Sequence, residues 1–378
     1  MTSPGKPWIT ANQVTLARLI FMPLISWLIY RAYATGENWY FWVALIFGTL
    51  IGFTDFIDGM LARKYGPTVL GGLIDPIADK VFIAFAYAPF ADIGMVPAWA
   101  CSLMFVREFF VTALRSAYEQ RNLTLKTSYL AKAKTWTQMQ GIGVMLLFPL
   151  IGEQRLMTGI LIFGLAAPLV AMAGLWLFKR KFWRGALAMS GSFVALLAVH
   201  LYGDPKVSMA AIMIGVVAIT WISGVDYLVI GWRQLRGRGD FALADGVRLI
   251  GGIAVPALLF TVQVETAAPA WTILVILPLE LAVGGLDNLL SHHRAATGAL
   301  PWGARVLGIS ALLGAALLLP SQAVALTVAA AVLSVVGVAA EFLRGSDYYM
   351  DARIRNKELR QSRLGKDPAS GADASSKS

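Results

Sequence analysis

Residues 55–79 read DFIDGMLARKYGPTVLGGLIDPIAD, and four carboxylates stand in this stretch between strongly apolar flanks. They form two pairs, Asp55 with Asp58 and Asp75 with Asp79, whose spacings place both members of a pair on one face of a helix. A short turn between the two helices would bring the two faces together. Four acidic groups so close repel one another unless a cation neutralises them, and carboxylate oxygens are ligands that Mg²⁺ prefers. The stretch therefore predicts two helices and a divalent-metal site, with two solvated helix ends as the simpler alternative.

The composition predicts the class of protein. Apolar residues make up 57% of the chain and charged residues 14%, with a mean hydropathy of +0.66. Soluble proteins carry roughly a quarter charged residues, so we predict an all-α integral membrane protein. The net charge of +10 comes from basic residues that cluster between apolar segments. This distribution is typical of orientation in a membrane and not of a nucleic-acid-binding patch, so no nucleic-acid partner is expected. The single cysteine, Cys101, excludes an intrachain disulfide.

Apolar segments of about 20 residues, long enough to span a membrane, predict a polytopic helical bundle of about twelve transmembrane helices. The segments lie near residues 14–34, 39–62, 71–93, 96–118, 132–152, 157–178, 185–202, 208–232, 247–264, 271–289, 303–319 and 322–343.

The distribution of Lys and Arg predicts the orientation of these segments. Alternate loops are rich in basic residues, among them KRKFWR at residues 179–184, and the loops between them hold few. Because cytoplasmic loops carry the excess of Lys and Arg, we expect both termini and the four aspartates on the cytoplasmic side of the inner membrane. Residues 347–378 are too polar to fold alone and predict a disordered basic tail, whose cations can contact membrane lipids.

Small residues and an arginine accompany the acidic pairs. Gly59, Ala62 and Arg63 follow the first pair, and Gly71 precedes the second. Together with the four aspartates, these residues resemble the signature of the CDP-alcohol phosphatidyltransferases. The match departs at one point, since the loop between Arg63 and Gly71 is one residue shorter than is usual in the family.

This resemblance implies an enzyme that transfers a phosphatidyl group from CDP-diacylglycerol to an alcohol and releases CMP. It implies that Mg²⁺ or Mn²⁺, as two ions, is bound by Asp55, Asp58, Asp75 and Asp79, and that Asp79 is also the general base. The implied CDP-binding residues are Asp58, Gly59, Ala62, Arg63 and Gly71. The family is commonly dimeric, so a homodimer is expected.

The helix after the second acidic pair carries charges deep in an apolar sequence. Arg107, Glu108 and Arg115 occur in VREFFVTALRSAYEQRN, and an intramembrane charge is costly unless it is paired. The segment resembles one subgroup of the family, the phosphatidylglycerophosphate synthases, as does LAKAKTWTQM with Lys132 and Lys134. The two arginines and two lysines are therefore predicted to bind the phosphate of sn-glycerol 3-phosphate.

Other interpretations of this region stay open. Glu108 could form a purely structural ion pair with Arg107 or Arg115. Within the family, inositol phosphate, serine or phosphatidylglycerol could be the acceptor. A transporter is a remote alternative, because the two halves of the chain look unrelated and the acids gather at one surface.

The first apolar segment begins NQVTLAR, with Asn12, Thr15 and Arg18 at helical spacing. The family has similar residues facing its catalytic cavity, so the resemblance places all three near the aspartates. The alternative is that Asn12 caps the helix and Arg18 extends to the membrane interface.

The resemblance covers about residues 8–236, which form the predicted phosphatidyltransferase domain (1–236). That domain would consist of the six-helix core of the family and an inserted helical hairpin at about 155–203. Residues 237–346 add C-terminal transmembrane helices of unknown role, predicted to be accessory to catalysis. Four residues there suggest a metal site, although a solvated helix end is the preferred interpretation: Asp287, Asn288, His292 and His293.

Overall fold

A computed structural model describes residues 9–65, 69–121, 129–180, 182–225, 242–292 and 299–345, with a few single positions between 229 and 239. Within these residues the regular structure consists of thirteen α-helices and one short 3-10 turn, with further helical positions at 225 and between 229 and 237, and without a strand. The helices are α1 Ala11–Phe21, α2 Pro23–Thr35, α3 Asn38–Tyr65, α4 Val69–Asp92, α5 Ala98–Glu119, α6 Tyr129–Leu150, α7 Gln154–Lys179, α8 Arg184–Tyr202, α9 Pro205–Ile222, α10 Leu243–Glu265, α11 Ala270–His292, α12 Ala299–Leu318 and α13 Ala323–Arg344.

The first apolar segment is one continuous stretch divided into α1 and α2. Thr10 is the N-cap of α1 and forms a capping box with Gln13, whose side chain accepts from the Thr10 amide at 2.9 Å. Asn12 as the helix cap is therefore wrong. The division falls at Pro23, which has no amide hydrogen to continue the helical ladder.

The helices confirm the predicted polytopic membrane protein. With α1 and α2 taken as one segment, the described residues form twelve helical segments close to the twelve predicted. Eight of these are long and apolar enough to cross a membrane by length and composition. Three that are not, α4, α5 and α6, carry many of the charged and polar residues of the site described below, and α1 and α3 carry the others. One boundary was wrong: α9 ends at Ile222, not near residue 232, because the chain turns at Ser223 and Gly224.

Helix α4 lies at the centre of the bundle. Every side chain from Val81 to Ala91 is buried, because α1, α2, α5, α6, α10 and α11 all contact this helix. A helix that is apolar on every side is stable only in such surroundings. The acidic residues at the beginning of α4 therefore stand on a fixed central support.

The C-terminal helices pack directly against this centre, α10 on α5 and α11 on both α4 and α5. Buried ion pairs join them: Arg121 with Asp245 at 2.5 Å and Arg248 with Asp287 at 3.1 Å. Asp287 is only 8% exposed, so its interpretation as a solvated helix end is wrong. His293 and the predicted tail at 347–378 lie outside the described residues. The pair α7 and α8 forms the predicted hairpin, and its status as an insertion stays a prediction.

Short connections make successive helices antiparallel, so the end of the bundle where α3 ends and α4 begins, here called the site end, also holds the loop between α7 and α8. The loop between α10 and α11 lies at the other end. Phe182→Cys and Ala267→Cys, each in a Cys101→Ser background, should therefore react with an impermeant thiol reagent from opposite sides of the membrane. Both native side chains are exposed, and the buried Cys101 provides the unreactive control. Labelling of both from the same side would contradict this topology.

Candidate active site

The four aspartates meet where α3 ends and α4 begins, and α1 lies against them. The Thr15 hydroxyl lies 2.9 Å from Asp58 Oδ2 and 3.0 Å from Asp75 Oδ1. Thr15 is completely buried and Asp58 almost so. One hydroxyl of α1 therefore links one carboxylate from each pair.

Arg18, one turn along α1, contacts the other two carboxylates. Its Nη1 lies 2.9 Å from Asp55 Oδ1 and its Nη2 lies 3.4 Å from Asp79 Oδ1. The Arg18 side chain is 3% exposed, whereas Asp55 and Asp79 are 52% and 43% exposed. Extension of Arg18 to the interface is therefore wrong, because its guanidinium is buried among acids. Asn12 lies half-buried about one turn before Thr15 on the same helix.

The charges of this cluster do not balance, since four carboxylates share one buried arginine. Among the described residues, no group of three or more His, Cys, Asp or Glu side chains is arranged to hold an ion as it stands. The donor set fits Mg²⁺ or Mn²⁺ nevertheless, because it offers hard carboxylate oxygens and excess negative charge. Two of these carboxylates remain open to a ligand, Asp55 and Asp79. Metal binding stays a prediction.

The residues assigned to CDP lie beside the first acidic pair. The exposed Arg63 side chain folds back over Gly59, where a Cβ atom would lie 3.8 Å from Arg63 Nη1. Ala62 is half-buried, and Gly71 is buried in the first turn of α4. Arg63 thus lies directly beside the backbone that follows Asp58, and the assignment of these residues to CDP stays a prediction.

A second charged cluster surrounds Glu108 on α5. Lys134 Nζ lies 2.7 and 2.9 Å from its two oxygens, and Gln138 Nε2 donates to it at 3.2 Å. Arg107 Nη1 lies 3.5 Å from the same carboxylate, while its Nη2 donates to Ser223 Oγ at 3.1 Å. The ion pair that the sequence left open is therefore present, and it includes Lys134.

The two clusters face one small cavity of about 40 Å³, here called the basic cavity. Asp79, Lys80, Glu108 and Lys134 all line it. Lys80 Nζ donates to Thr112 Oγ1 at 2.6 Å. Lys80, Lys134 and Arg107 outnumber Glu108, so the surroundings of Glu108 have surplus positive charge and suit an anionic ligand.

Sequence reasoning missed Lys80, although a lysine directly after Asp79 in an otherwise apolar helix was a usable signal. It also missed Thr112, whose role depends on a neighbouring helix. Arg115 lies two turns beyond Arg107 with a half-buried side chain, and neither arginine is among the described residues that line the basic cavity. The side chain of Lys132 lies outside the described residues.

Comparisons with known proteins agree with this geometry. The family model for the CDP-alcohol phosphatidyltransferases matches residues 8–177 and so ends within α7. A "Probable phosphatidylglycerophosphate synthase" of Mycobacterium tuberculosis is 39% identical over 145 residues, which are 38% of this chain and 67% of that protein. A "CDP-diacylglycerol--glycerol-3-phosphate 3-phosphatidyltransferase" of Rickettsia typhi is 34% identical over 137 residues, 36% of this chain and 75% of that protein.

A protein of the same name from Bacillus subtilis is 30% identical over 145 residues. These are 36% of this chain and 75% of the Bacillus protein. No solved structure matches the chain significantly. All three relatives align over most of their own length, and the family match includes both acidic pairs and α1. The chain therefore belongs to the CDP-alcohol phosphatidyltransferase family.

Proposed function

We propose that this protein transfers the phosphatidyl group of CDP-diacylglycerol to sn-glycerol 3-phosphate, giving phosphatidylglycerophosphate and CMP. One observation carries the proposal: the acidic cluster and the basic cluster border a single cavity, whose lining includes Asp79 as well as Lys80 and Lys134. A donor with a pyrophosphate and an acceptor with a phosphate monoester require these two kinds of surroundings next to each other. The names of the relatives support the same reaction.

The acidic cluster is the donor side. Asp55, Asp58 and Asp75, with Asp79, would hold one or two divalent ions, which when bound offset the negative charge of the pyrophosphate as the bond to CMP breaks. Arg63 is exposed beside Gly59 and can pair with a donor phosphate through its planar group. Thr15 and Arg18 keep the four carboxylates in one place.

The basic cavity is the acceptor side. The phosphate of the acceptor would be bound by Lys80 and Lys134, which line the cavity, and by Arg107, which contacts Glu108 beside it. Thr112, Glu108 and Ser223 hold these cations in position. Asp79 lines the same cavity and can take the proton of the attacking hydroxyl. The hydroxyl oxygen forms the new bond to the phosphatidyl phosphorus, while the bond from that phosphorus to CMP breaks and CMP leaves with its electron pair. Reach to the hydroxyl is the first requirement for such a base.

The surplus of positive charge favours a phosphorylated acceptor over serine or phosphatidylglycerol. Inositol phosphate carries the same anionic group, so it is the second candidate. CMP release by the purified protein, measured with CDP-diacylglycerol and each acceptor in turn, tests the proposal. Turnover with serine but not with sn-glycerol 3-phosphate would contradict it.

We also propose that the site faces the cytoplasm from the inner membrane. The site end of the described structure carries Arg63, Lys64, Arg121 and Arg180 in or beside its loops, and cytoplasmic loops hold the excess of basic residues. The soluble, charged acceptor would then enter from the cytoplasm. A homodimer is proposed from the family alone.

Asp79→Asn tests the assignment of the base, because it keeps the shape of the side chain and removes its charge. We expect kcat to fall by about 10²–10⁴-fold, as is typical when a general base is removed. Asp55→Asn should act differently and raise the Mg²⁺ concentration needed for half-maximal activity. Both are read from CMP release over a Mg²⁺ series.

Asp92→Asn is the matched control for this pair of variants. Asp92 ends the same helix at the opposite end of the bundle and accepts a hydrogen bond from Tyr30 at 2.8 Å, so it should keep nearly full activity. Near-parental turnover by Asp79→Asn with saturating Mg²⁺ would refute the assignment of the base.

Gly224→Ala tests the position of Arg107. A Cβ atom at residue 224 would lie 2.9 Å from Arg107 Nε, too close to be accommodated without moving the guanidinium. We expect Gly224→Ala to raise the KM for sn-glycerol 3-phosphate. Arg107→Gln should raise the same KM by about 10- to 150-fold, since a charged hydrogen bond contributes about 1.5–3 kcal/mol. The KM for CDP-diacylglycerol should change little.

Gly215→Ala on α9 provides the control, because no atom lies within 4 Å of a Cβ atom there. It should leave both KM values near those of the parent. Equal increases in both KM values for Gly224→Ala would instead support a purely structural role of the Arg107 cluster.

A further inference from the structure

The basic cavity has one wall that does not come from the part of the chain matched by the family. Leu281 of α11 lines it together with Asp79, Lys80, Glu108 and Lys134. The family match ends at residue 177, and the aligned part of the Mycobacterium tuberculosis relative is 67% of that protein but only 38% of this chain. The cavity is thus bounded on one side by an element that this chain adds.

Two adjacent glycines bring α11 close to the site helices. A Cβ atom at Gly285 would lie 2.8 Å from Ile77 Cγ1, and one at Gly284 would lie 3.4 Å from the methyl group of Thr112. Ile77 lies on α4 between Asp75 and Asp79, and Thr112 accepts the hydrogen bond of Lys80. Helix α11 therefore packs directly behind residues of both clusters.

Buried ion pairs hold α11 in this position on both sides of the glycines. Glu280 accepts hydrogen bonds from Arg305 at 3.2 Å and from Ser334 at 2.8 Å. Asp287 accepts one from Arg248 at 3.1 Å. Because a buried charge left without its partner is strongly destabilising, these contacts fix the rotation of α11. That rotation keeps Leu281, which is 2% exposed, towards the basic cavity.

We propose that Leu281 is a specificity-determining residue that limits the size of the acceptor, and that α11 thereby forms part of the acceptor site. The inference rests on the proposed function and deepens it. The apolar Leu281 side chain lines the cavity together with Lys80, Lys134 and Asp79, so a small acceptor would place its phosphate on the two lysines and its hydroxyl near Asp79. A ring-sized acceptor with the same phosphate meets Leu281. The C-terminal helices then contribute to selectivity, although the sequence predicts that they are accessory.

The test compares two acceptors that share a phosphate monoester and differ in bulk, sn-glycerol 3-phosphate and inositol 1-phosphate. The measured quantity is the ratio of their kcat/KM values with the full-length protein in detergent. This ratio does not depend on the fraction of protein that is folded. Leu281→Ala should increase kcat/KM for inositol 1-phosphate relative to that for sn-glycerol 3-phosphate by at least about tenfold. Leu281→Phe should raise the KM for sn-glycerol 3-phosphate. Leu281→Met, which nearly conserves volume, should keep the selectivity ratio close to that of the parent.

Leu277→Ala is the matched control, since Leu277 is a buried leucine one turn earlier on α11 and does not line the basic cavity. Its selectivity ratio should remain that of the parent even if it loses stability. Equal ratios for Leu281→Ala and Leu277→Ala would overturn the proposal while leaving the proposed function intact. A parent protein that releases CMP with neither acceptor would overturn the proposed function itself.

Discussion

The site depends on the contact of two α1 side chains with four carboxylates. Thr15 and Arg18 stand one turn apart, and each reaches one aspartate of α3 and one of α4. Without such partners, carboxylates this close would repel one another and separate or become protonated. Arg18 is itself buried while Asp55 and Asp79 are about half exposed, so α1 supplies a fixed cation around which the carboxylates are ordered.

Buried charges elsewhere in the structure also lie next to groups of opposite charge, as Arg18 does. Glu108 holds Lys134 and Arg107, and Asp79 shares the lining of the basic cavity with Glu108 and Lys134. The helices that bear these groups, α4, α5 and α6, are surrounded by more apolar neighbours that can face lipid. Polar chemistry inside a membrane requires this arrangement, since a charge exposed to hydrocarbon is costly.

The C-terminal helices repeat this pattern around the outside of the site. Arg121, Asp245, Arg248 and Asp287 form a buried chain of charges that joins the end of α5 to α10 and α11. The glycines of α11 then allow its backbone to approach α4 and α5. The result is one packed body in which an element outside the family match borders the centre of the proposed chemistry.

The sequence alone determined the features that depend on local spacing. Most helices follow from runs of apolar residues, although the end of α9 did not. The intervals between Asp55 and Asp58 and between Asp75 and Asp79 place each pair on one helical face, because helix geometry is set by neighbours in the chain. Only the tertiary structure decided which faces meet. Thr15 contacts Asp58 and Asp75, Asp287 pairs with Arg248, and Leu281 lines the basic cavity, because these contacts depend on how helices far apart in sequence pack against one another.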